Sequence, residues 1–171
     1  SVVVNGYYAT PDDGHPSLNA DFRLQEIGFA KAYDELYVIR QLAPIFSGLT
    51  GHFSGTIKID SQLDSDMHPM LNTLNAYGSL STRDLSLDNV EFITQVADIV
   101  KRPSLKNTRV KNLDIYFTIA NGRMATKPFD IKIDDYTMRL SGTTGLDKTI
   151  DYRGTITIPQ SAGNLAKLGT V

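Results

Sequence analysis

Three histidines are the side chains of this sequence best suited to acid–base or metal chemistry near neutral pH. They are His15, His52 and His68, on three separate segments, without the HExxH or i, i+4 spacing that brings two imidazoles to one metal ion. The chain has no cysteine, which excludes disulfides, thiolate zinc sites, iron–sulfur clusters and cysteine nucleophiles. We therefore expect surface or structural histidines, and we predict no metal site and no cofactor.

Two groups of carboxylates could bind a cation or act in hydrolysis. Asp60, Asp64 and Asp66 lie in the sequence DSQLDSD, which lacks the glycine and the closing glutamate of an EF-hand calcium loop. Asp134 and Asp135 lie between two predicted strands, where aspartates are typical turn residues. The GxSxG, P-loop and GxGxxG motifs are absent. The sequence therefore predicts a protein that is not an enzyme, and a hydrolase whose residues converge only in the fold stays open as a third alternative.

A basic segment follows the acidic first part of the chain. Residues 1–100 carry 5 basic and 13 acidic side chains, whereas residues 101–171 carry 12 and 6, although the whole chain has a net charge of only −2. The cations of the basic segment are Lys101, Arg102, Lys106, Arg109 and Lys111. They could complement a helix end or form a solvated face. Alternatively they could attract anionic headgroups, at about 1 kcal/mol per cation. Nucleic acid is not expected, because no aromatic residues that could stack on bases are interleaved with them.

Length and composition predict one globular domain. The chain has 171 residues, of which 41% are hydrophobic and 21% charged, a balance that supports a packed core. Because residues 1–8 already have a strand pattern, we expect the sequence to begin partway through a longer protein. Within the single domain 1–171 we predict strands and an amphipathic helix over 1–50, strand and helix modules over 51–111, a four-stranded meander over 112–158 and a tail over 159–171.

Helical periodicity is present in two segments. Apolar residues recur at three- and four-residue spacing over 29–43, which predicts a helix that Pro44 kinks or ends. The same pattern over 88–101 predicts a second helix, with Asp88 and Glu91 spaced as a capping box. A shorter helical turn is predicted over 67–74.

The remaining segments alternate with period two, as strands do. Residues 53–63 place apolar and small side chains on one face and polar side chains on the other. Asn121-Gly122 between two alternating runs is a strong hairpin signal, and further turns are predicted at Asp134-Asp135 and 145–148. The predicted fold class is α+β, with a curved, amphipathic, antiparallel sheet packed against two main helices.

The apolar faces of these strands would form one continuous surface. Its members, which we treat as candidate lipid-groove residues, are Ile57, Ile59, Leu113, Ile115, Phe117, Ile119, Phe129, Ile131, Ile133, Met138, Leu140, Ile156 and Ile158. Either the two helices cover this surface and make an ordinary core, or part of it stays open for acyl chains, which gain about 0.8 kcal/mol per buried methylene.

About two thirds of the chain resembles the C-terminal region of the AsmA family. The matching pieces are IFSGLTGHFSGTIKIDSQLDSDMHPMLNTLNAYGSLSTRDLSL, the helix EFITQVADIV, and LDIYFTIANGRMATKPFDIKIDDYTMRLSGTTGLDKTIDYRGTITIP. The family pattern consists of a glycine-led strand, a short helix, an AxGxLxxxDLxL-like strand and a closing meander. This chain departs from it in having Asn121-Gly122 where Asp-Gly is common, and in showing no N-terminal membrane helix.

This resemblance implies a large envelope protein of Gram-negative bacteria, anchored in the inner membrane by a segment absent from this chain and lying mostly in the periplasm. It implies a role in outer-membrane biogenesis, with a β-sheet groove that carries phospholipid between membranes, and it carries over no catalytic residue, metal or cofactor. The alternative is an interaction or assembly module of the envelope that binds other envelope proteins without direct lipid binding. The longest uncharged run, 41–57, contains Pro44 and three glycines and is not a membrane span.

Overall fold

A computed structural model describes residues 1–10, 14, 16–88, 90–99, 101–133 and 135–157. Over these residues the chain forms ten strands, three α-helices and two 3₁₀ turns, at Pro44–Gly48 and Pro103–Lys106. The helices are α1 (Phe29–Glu35), α2 (Tyr37–Leu42) and α3 (Glu91–Ile99). The strands are β1 (Val2–Ala9), β2 (Ser17–Gly28), β3 (Thr50–Gln62), β4 (Asn75–Thr82), β5 (Leu85–Asp88), β6 (Asn107–Val110), β7 (Leu113–Ala120), β8 (Arg123–Ile133), β9 (Tyr136–Gly145) and β10 (Ile150–Thr157).

Eight strands form one antiparallel sheet in the order β1-β2-β3-β4-β7-β8-β9-β10. The meander is interrupted once, by residues 83–112, which we call the excursion. The excursion carries β5, α3 and β6, and its ribbon of β5 and β6 joins the start of β3 through the pairs Thr50 to Ser86 and Gly51 to Leu85. The predicted α+β class with a curved antiparallel sheet is confirmed, as is the four-stranded C-terminal meander.

The strand register places most of the apolar side chains of the eight strands on one face. Directly opposed residues of neighbouring antiparallel strands share a face, so a row can be followed across the sheet. One such row consists of Val4, Phe22, Ile57, Gly78, Phe117, Thr126, Gly142 and Tyr152. The opposite face carries polar residues, among them Lys58, Ser79 and Arg139. The period-two prediction for 53–63 is confirmed, since Phe53 and Ser61 are buried while Lys58 and Asp60 are exposed.

The Asn121-Gly122 hairpin is confirmed at the backbone level. Asn121 has φ +52° and Gly122 has φ +68°, the pair of positive values that a type I′ turn requires. The turn predicted at 145–148 also forms, because the Gly145 N–H donates to the Thr149 carbonyl. Of the predicted Asp134-Asp135 turn, Asp135 lies between β8 and β9, and Asp134 lies outside the described residues.

The first predicted helix is broken into two. Leu36 has φ −106° and ψ +105°, an extended conformation between α1 and α2. The Arg40 guanidinium donates to the carbonyl of Asp34 at 2.5 Å and so satisfies an end of α1. Because of the break, Phe29 and Leu42 pack into two different parts of the core. One straight helix with a single apolar stripe would not reach both parts. Pro44 acts as predicted, since α2 ends at Leu42 and Pro44 begins a 3₁₀ turn.

The second helix begins later and ends earlier than predicted. The capping box is wrong, because Asp88 is the last residue of β5, paired with Asn107, and α3 starts at Glu91. At the other end Lys101 has φ +55°, and the Arg102 N–H donates to the Ala97 carbonyl at 2.8 Å. This Schellman-type closure places Lys101 and Arg102 just beyond the helix and not in its last turn. Val100, at the end of the predicted apolar pattern, lies outside the described residues.

The short helix predicted over 67–74 does not form. Leu63 forms an isolated bridge with Pro69, and the Met70 N–H donates to the Gln62 carbonyl at 2.8 Å. The Thr73 hydroxyl accepts from the Gln62 N–H at 3.1 Å. The Met70 N–H, which a helix would bond to residue 66, is thus bonded to the end of β3, so the segment folds back on the strand as successive turns.

The buried apolar residues form two clusters on the apolar side of the sheet. The larger, here the first cluster, joins α1, the excursion and β7–β10: Phe29, Ala32, Leu49, Phe53, Leu85, Leu87, Val90, Ile93, Ala97, Leu105, Val110, Leu113, Ile131, Ile133, Met138, Leu140 and Ile156. The second cluster consists of Leu42, Leu74, Ala76 and Ile119, with Leu71, Met124 and Leu146 among the half-buried residues packed on it. The core thus lies between the sheet and the segments that cross its apolar face.

Two glycines on the apolar face allow neighbouring strands to approach closely. A Cβ at Gly55 would overlap the Ser79 carbonyl oxygen, and one at Gly78 would overlap the Thr56 carbonyl oxygen and lie 3.0 Å from Phe117 Cζ. Glycine at such positions lets a sheet bend toward the face that lacks the side chain. The curvature of the sheet therefore depends on residues in the middle of its apolar face.

Candidate functional site

The candidate lipid-groove residues occupy the apolar face, but they are covered to different degrees. Those that are buried are Leu113, Ile119, Ile131, Ile133, Met138, Leu140 and Ile156. Those that are half-buried are Ile57, Ile59, Ile115, Phe117 and Phe129. Ile158 lies outside the described residues. The buried members belong to the two clusters and contribute to the stability of the fold, so the half-buried members are the ones within reach of a ligand.

Two sets of segments cover this face. Over the first cluster, Phe29 of α1 packs against Phe46 and Phe53 with ring centroids 4.9 and 5.0 Å away, an arrangement typical of buried aromatic groups. The excursion adds Leu87, Ile93 and other apolar side chains to the same cluster. Over the second cluster, Leu42 of α2 and Leu74 of the loop before β4 pack on the sheet.

The cover thins toward the β1 margin of the sheet. On the apolar face Phe22 and Leu24 of β2 are half-buried, while Val2, Val4 and Tyr8 of β1 are each about half exposed or more. At the other margin Ile150 of β10 is also exposed. The helices and the excursion therefore bury one part of the apolar face and leave the side chains of β1 accessible among the described residues. The described candidate groove residues are all buried or half-buried, and the exposed side chains at the two margins were not among the predicted ones.

All five cations of the basic segment lie on the excursion. Lys106 is paired with Asp98, with 2.8 Å between Nζ and Oδ1, which neutralises its charge locally. Lys101, Arg102, Arg109 and Lys111 are exposed and form no ion pair with the part of the chain that the structure describes. Arg109 of β6 lies opposite Ser86 of β5, and the neighbours of Arg109 in sequence, Thr108 and Val110, are buried. The exposed cations thus lie on the solvent-facing side of the excursion, which covers the first cluster.

A polar cleft of about 420 Å³ lies at the tip of the β7–β8 hairpin, beside the second cluster. It is lined by Asn72, Asn121, Gly122, Arg123, Leu146 and Asp147. Several of these residues are next in sequence to members of the second cluster or packed on it: Asn72 follows Leu71, Arg123 precedes Met124, and Leu146 itself packs there. The sequence did not predict this cleft. The only features of the sequence that relate to it are the two predicted turns, at 121–122 and 145–148, which supply part of its lining.

Arg123 and Asp147 organise the turn beside this cleft. The Arg123 guanidinium donates to Thr149 Oγ1 at 2.5 Å and to Thr143 Oγ1 at 3.0 Å, and lies 3.3 Å from Asp147 Oδ2. Hydrogen bonds from the Thr149 hydroxyl and N–H, with a smaller contribution from the Arg123 charge, lower the pKa of Asp147 below its ordinary value. The carboxylate is exposed, so its main effect is to hold the β9–β10 turn in shape.

The structure brings together one group of possible metal ligands. One ligand atom each of Asp64, Asp66 and His68 lies within 4.8 Å of the others, and all three residues are exposed. Asp64 Oδ1 already accepts hydrogen bonds from the N–H groups of Asp66 and His68, each at 2.9 Å. Asp60 lies apart on β3, where it accepts a hydrogen bond from Asn19. The carboxylate of Asp64 thus stabilises the turn after β3 through these two hydrogen bonds.

The remaining candidate residues do not converge. His52 is exposed on β3, and His15 lies outside the described residues. Over the described residues the buried polar side chains are Ser61, Thr82, Thr108 and Thr144, and the first three donate hydrogen bonds to backbone carbonyls. Among these residues no fully buried side-chain nitrogen or oxygen lacks a hydrogen-bond partner. The amphipathic sheet is therefore the largest organised feature that this part of the chain presents to a ligand.

Comparison of the chain with models of known protein families, with characterised proteins and with solved structures found no match. Among the helices that the structure describes, none has both the length and the apolar character needed to cross a bilayer.

Proposed function

We propose that this chain is a non-enzymatic domain of an AsmA-like envelope protein, and that it binds the acyl chains of phospholipids on its apolar sheet face. In this proposal the parent protein is anchored in the inner membrane, and the domain works in the periplasm in lipid transport during outer-membrane biogenesis. One observation carries it: the apolar face extends across all eight strands from β1 to β10, and its half-buried and exposed parts adjoin each other near β1 and β2.

The energetics of such binding follow from the area that an acyl chain would cover. Each methylene removed from water contributes about 0.8 kcal/mol, so even a short stretch of chain along Phe22 and Ile57 gains several kcal/mol. The polar face on the other side of the sheet stays in contact with water. A sheet that is amphipathic in this way can hold a lipid tail on one side and remain soluble on the other.

The exposed cations of the excursion supply a site for the lipid headgroup in this proposal. Arg109 and Lys111 form no ion pair with the described residues, so their attraction to an anionic headgroup is not offset by a protein carboxylate. Replacing both by glutamate should weaken binding to acidic liposomes and leave the fold intact, because both side chains are exposed. Unchanged liposome binding would remove the headgroup role.

Acyl-chain binding can be tested with a matched pair of variants on β1. Val4 and Tyr8 lie on the apolar face, whereas Val3 and Tyr7 lie on the opposite face of the same strand, and all four side chains are exposed. The double variant Val4→Asp, Tyr8→Asp should lose phospholipid that co-purifies with the wild-type chain, as measured by native mass spectrometry after mild extraction. The double variant Val3→Asp, Tyr7→Asp should keep it.

Comparing the two double variants separates the effect of altering the apolar face from the effect of the added negative charge. Both variants add two negative charges to one edge strand, so equal loss in both would point to charge and not to the apolar face. Wild-type chain that carries no phospholipid would overturn direct lipid binding. In that case the interaction-module alternative stands, and a pull-down from envelope extract with wild-type and charge-reversed Arg109 and Lys111 would test it.

A further inference from the structure

The chain contains two Asn-Gly pairs with the same local chemistry, Asn5-Gly6 and Asn121-Gly122. In such a pair the side-chain amide of asparagine is followed by a main-chain nitrogen that no neighbouring Cβ shields, because glycine has none. Both asparagine side chains are exposed, and neither forms a hydrogen bond with the described residues. Solvent access and side-chain partners therefore do not distinguish the two pairs, whereas their backbones differ.

Asn5 and Gly6 lie inside strand β1, where the ladder with β2 holds the backbone. Ser1 and Gln25 exchange hydrogen bonds in both directions, which makes them a hydrogen-bonded pair. Because such pairs alternate with non-hydrogen-bonded ones along an antiparallel ladder, Asn5 and Asp21 also form a hydrogen-bonded pair. The Asn5 carbonyl group, which belongs to the Asn5–Gly6 peptide, is thus bonded to β2. This peptide cannot rotate unless the ladder opens.

The Asn121–Gly122 peptide is held less firmly, because it lies between two strands and not within one. The two residues have φ +52° and +68° and form the type I′ turn between β7 and β8. Among the described residues, the Asn121 carbonyl and the Gly122 N–H have no hydrogen-bond partner. The Leu146 N–H donates to the Gly122 carbonyl, which belongs to the following peptide. The Asn121–Gly122 peptide can therefore rotate while both strands stay paired.

We propose that Asn121 is a site of spontaneous deamidation in the folded chain, with water as the co-reactant. The Gly122 nitrogen gives its proton to water or hydroxide and attacks Asn121 Cγ, which closes a cyclic succinimide. The Cγ–Nδ2 bond breaks, and the nitrogen leaves as ammonia. Water then opens the succinimide at either carbonyl, which leaves aspartate or isoaspartate at position 121. The reaction consumes water and releases ammonia, with no oxidant or reductant.

The isoaspartate product changes the turn more than the aspartate product does. Its main chain runs through the former side-chain carbon and gains an additional atom, which the two-residue type I′ turn does not accommodate. The aspartate product keeps the main chain unchanged, and Asp-Gly suits this turn as Asn-Gly does. Because Asn121 lines the polar cleft, both products add a negative charge there, in addition to that of Asp147. The reaction thus alters the charge of the cleft, and its isoaspartate product loosens the hairpin beside it.

Incubation of the wild-type chain in mildly alkaline buffer, followed by peptide mass spectrometry, tests the proposal. In the folded chain Asn121 should deamidate at least about tenfold faster than Asn5, because Asn5 reacts only when ladder hydrogen bonds break. In denaturant the two rates should come close together, because only the local sequence remains. Equal rates in the folded chain, or a faster reaction at Asn5, would overturn the proposal. So would the absence of reaction at Asn121 while the chain is folded.

The effect on the hairpin is tested by thermal unfolding. Wild-type chain that has accumulated isoaspartate should have a lower Tm than fresh chain. Asn121→Gln incubated in the same way should keep its Tm, because the longer side chain closes the corresponding ring far more slowly. Fresh Asn121→Asp carries the charge of the product without the additional main-chain atom, so its Tm should stay close to that of fresh wild type. An equal loss in incubated Asn121→Gln would overturn the effect on the hairpin. The inference goes beyond lipid binding and is independent of it, since the reaction needs only water.

Discussion

Replacing Gly55 by alanine tests whether the close approach of strands on the apolar face holds the sheet in its curved form. The added Cβ would overlap the Ser79 carbonyl oxygen and lie 3.2 Å from the Ser79 carbonyl carbon and 3.3 Å from Leu80 Cα. All three atoms belong to the backbone of β4, which is paired on its other side to β7. The strain cannot be relieved by a side-chain rotation, so β3 and β4 must separate.

The expected cost is at the upper end of that for overpacking a core, about 3 kcal/mol. For a domain of this size each kcal/mol lowers Tm by about 2–4 °C, so Gly55→Ala should lower Tm by roughly 6–12 °C. Urea unfolding should show a lower midpoint with an unchanged m value, because the surface exposed on unfolding stays the same.

Gly154→Ala is the matched control. It also lies on the apolar face in a strand, but its Cβ would meet Leu140 Cδ2 at 2.6 Å, the end of a flexible side chain, and the nearest backbone atom, the Arg139 carbonyl oxygen, is 3.5 Å away. Alanine is better than glycine in a strand by roughly 0.5–1 kcal/mol, which offsets the cost of moving the leucine. The control should be nearly neutral. Equal stability of the two variants would refute the argument from backbone contact.

Three further predictions concern the core, the turn beside the polar cleft and the basic segment. Met138→Ala, at a side chain only 1% exposed, should lower the free energy of unfolding by about 2–5 kcal/mol, whereas Tyr116→Ala on the polar face should change it by less than about 0.5 kcal/mol in denaturant titrations. Because the pKa of Asp147 lies below its ordinary 3.8, its stabilising effect is full above that pH and is lost as the pH falls through the lowered pKa. Asp147→Asn should therefore be less stable than wild type at about pH 6, and the difference should shrink on acidification; a constant difference would contradict this. Asp98→Asn, which breaks the ion pair with Lys106, should lower the free energy of unfolding by less than about 1 kcal/mol in the same titrations, because a solvent-exposed ion pair contributes little. A larger loss would contradict this.

Alternation and turn chemistry predicted the β-rich part of the fold well. Residues 113–157 form the four-stranded meander because the apolar side chain recurs at every second position and Asn121-Gly122 accepts two positive φ values. These are local properties of the chain, so they can be recognised without knowing what the strands contact. The helices were predicted less well, since their ends depend on competing partners. Asp88 could cap a helix, but it pairs with Asn107 in the ladder of β5 and β6.

For the candidate site, the sequence identified the apolar residues but not their cover. Ile57 and Ile131 follow the same alternation, yet Ile131 is buried in the first cluster and Ile57 is only half-buried beside the second. The sequence likewise did not distinguish Lys106 from Arg109. Within the described residues, Lys106 forms an ion pair with Asp98 and Arg109 forms none.

The sequence by itself determined that this protein would be a cysteine-free α+β fold with an amphipathic antiparallel sheet, because hydrophobic alternation and turn residues act over a few neighbouring positions. Only the tertiary structure decided which part of the apolar face is covered and which part of it is accessible. Those features depend on where the excursion and the broken helix at Leu36 cross the sheet, and that placement results from contacts between residues far apart in the chain.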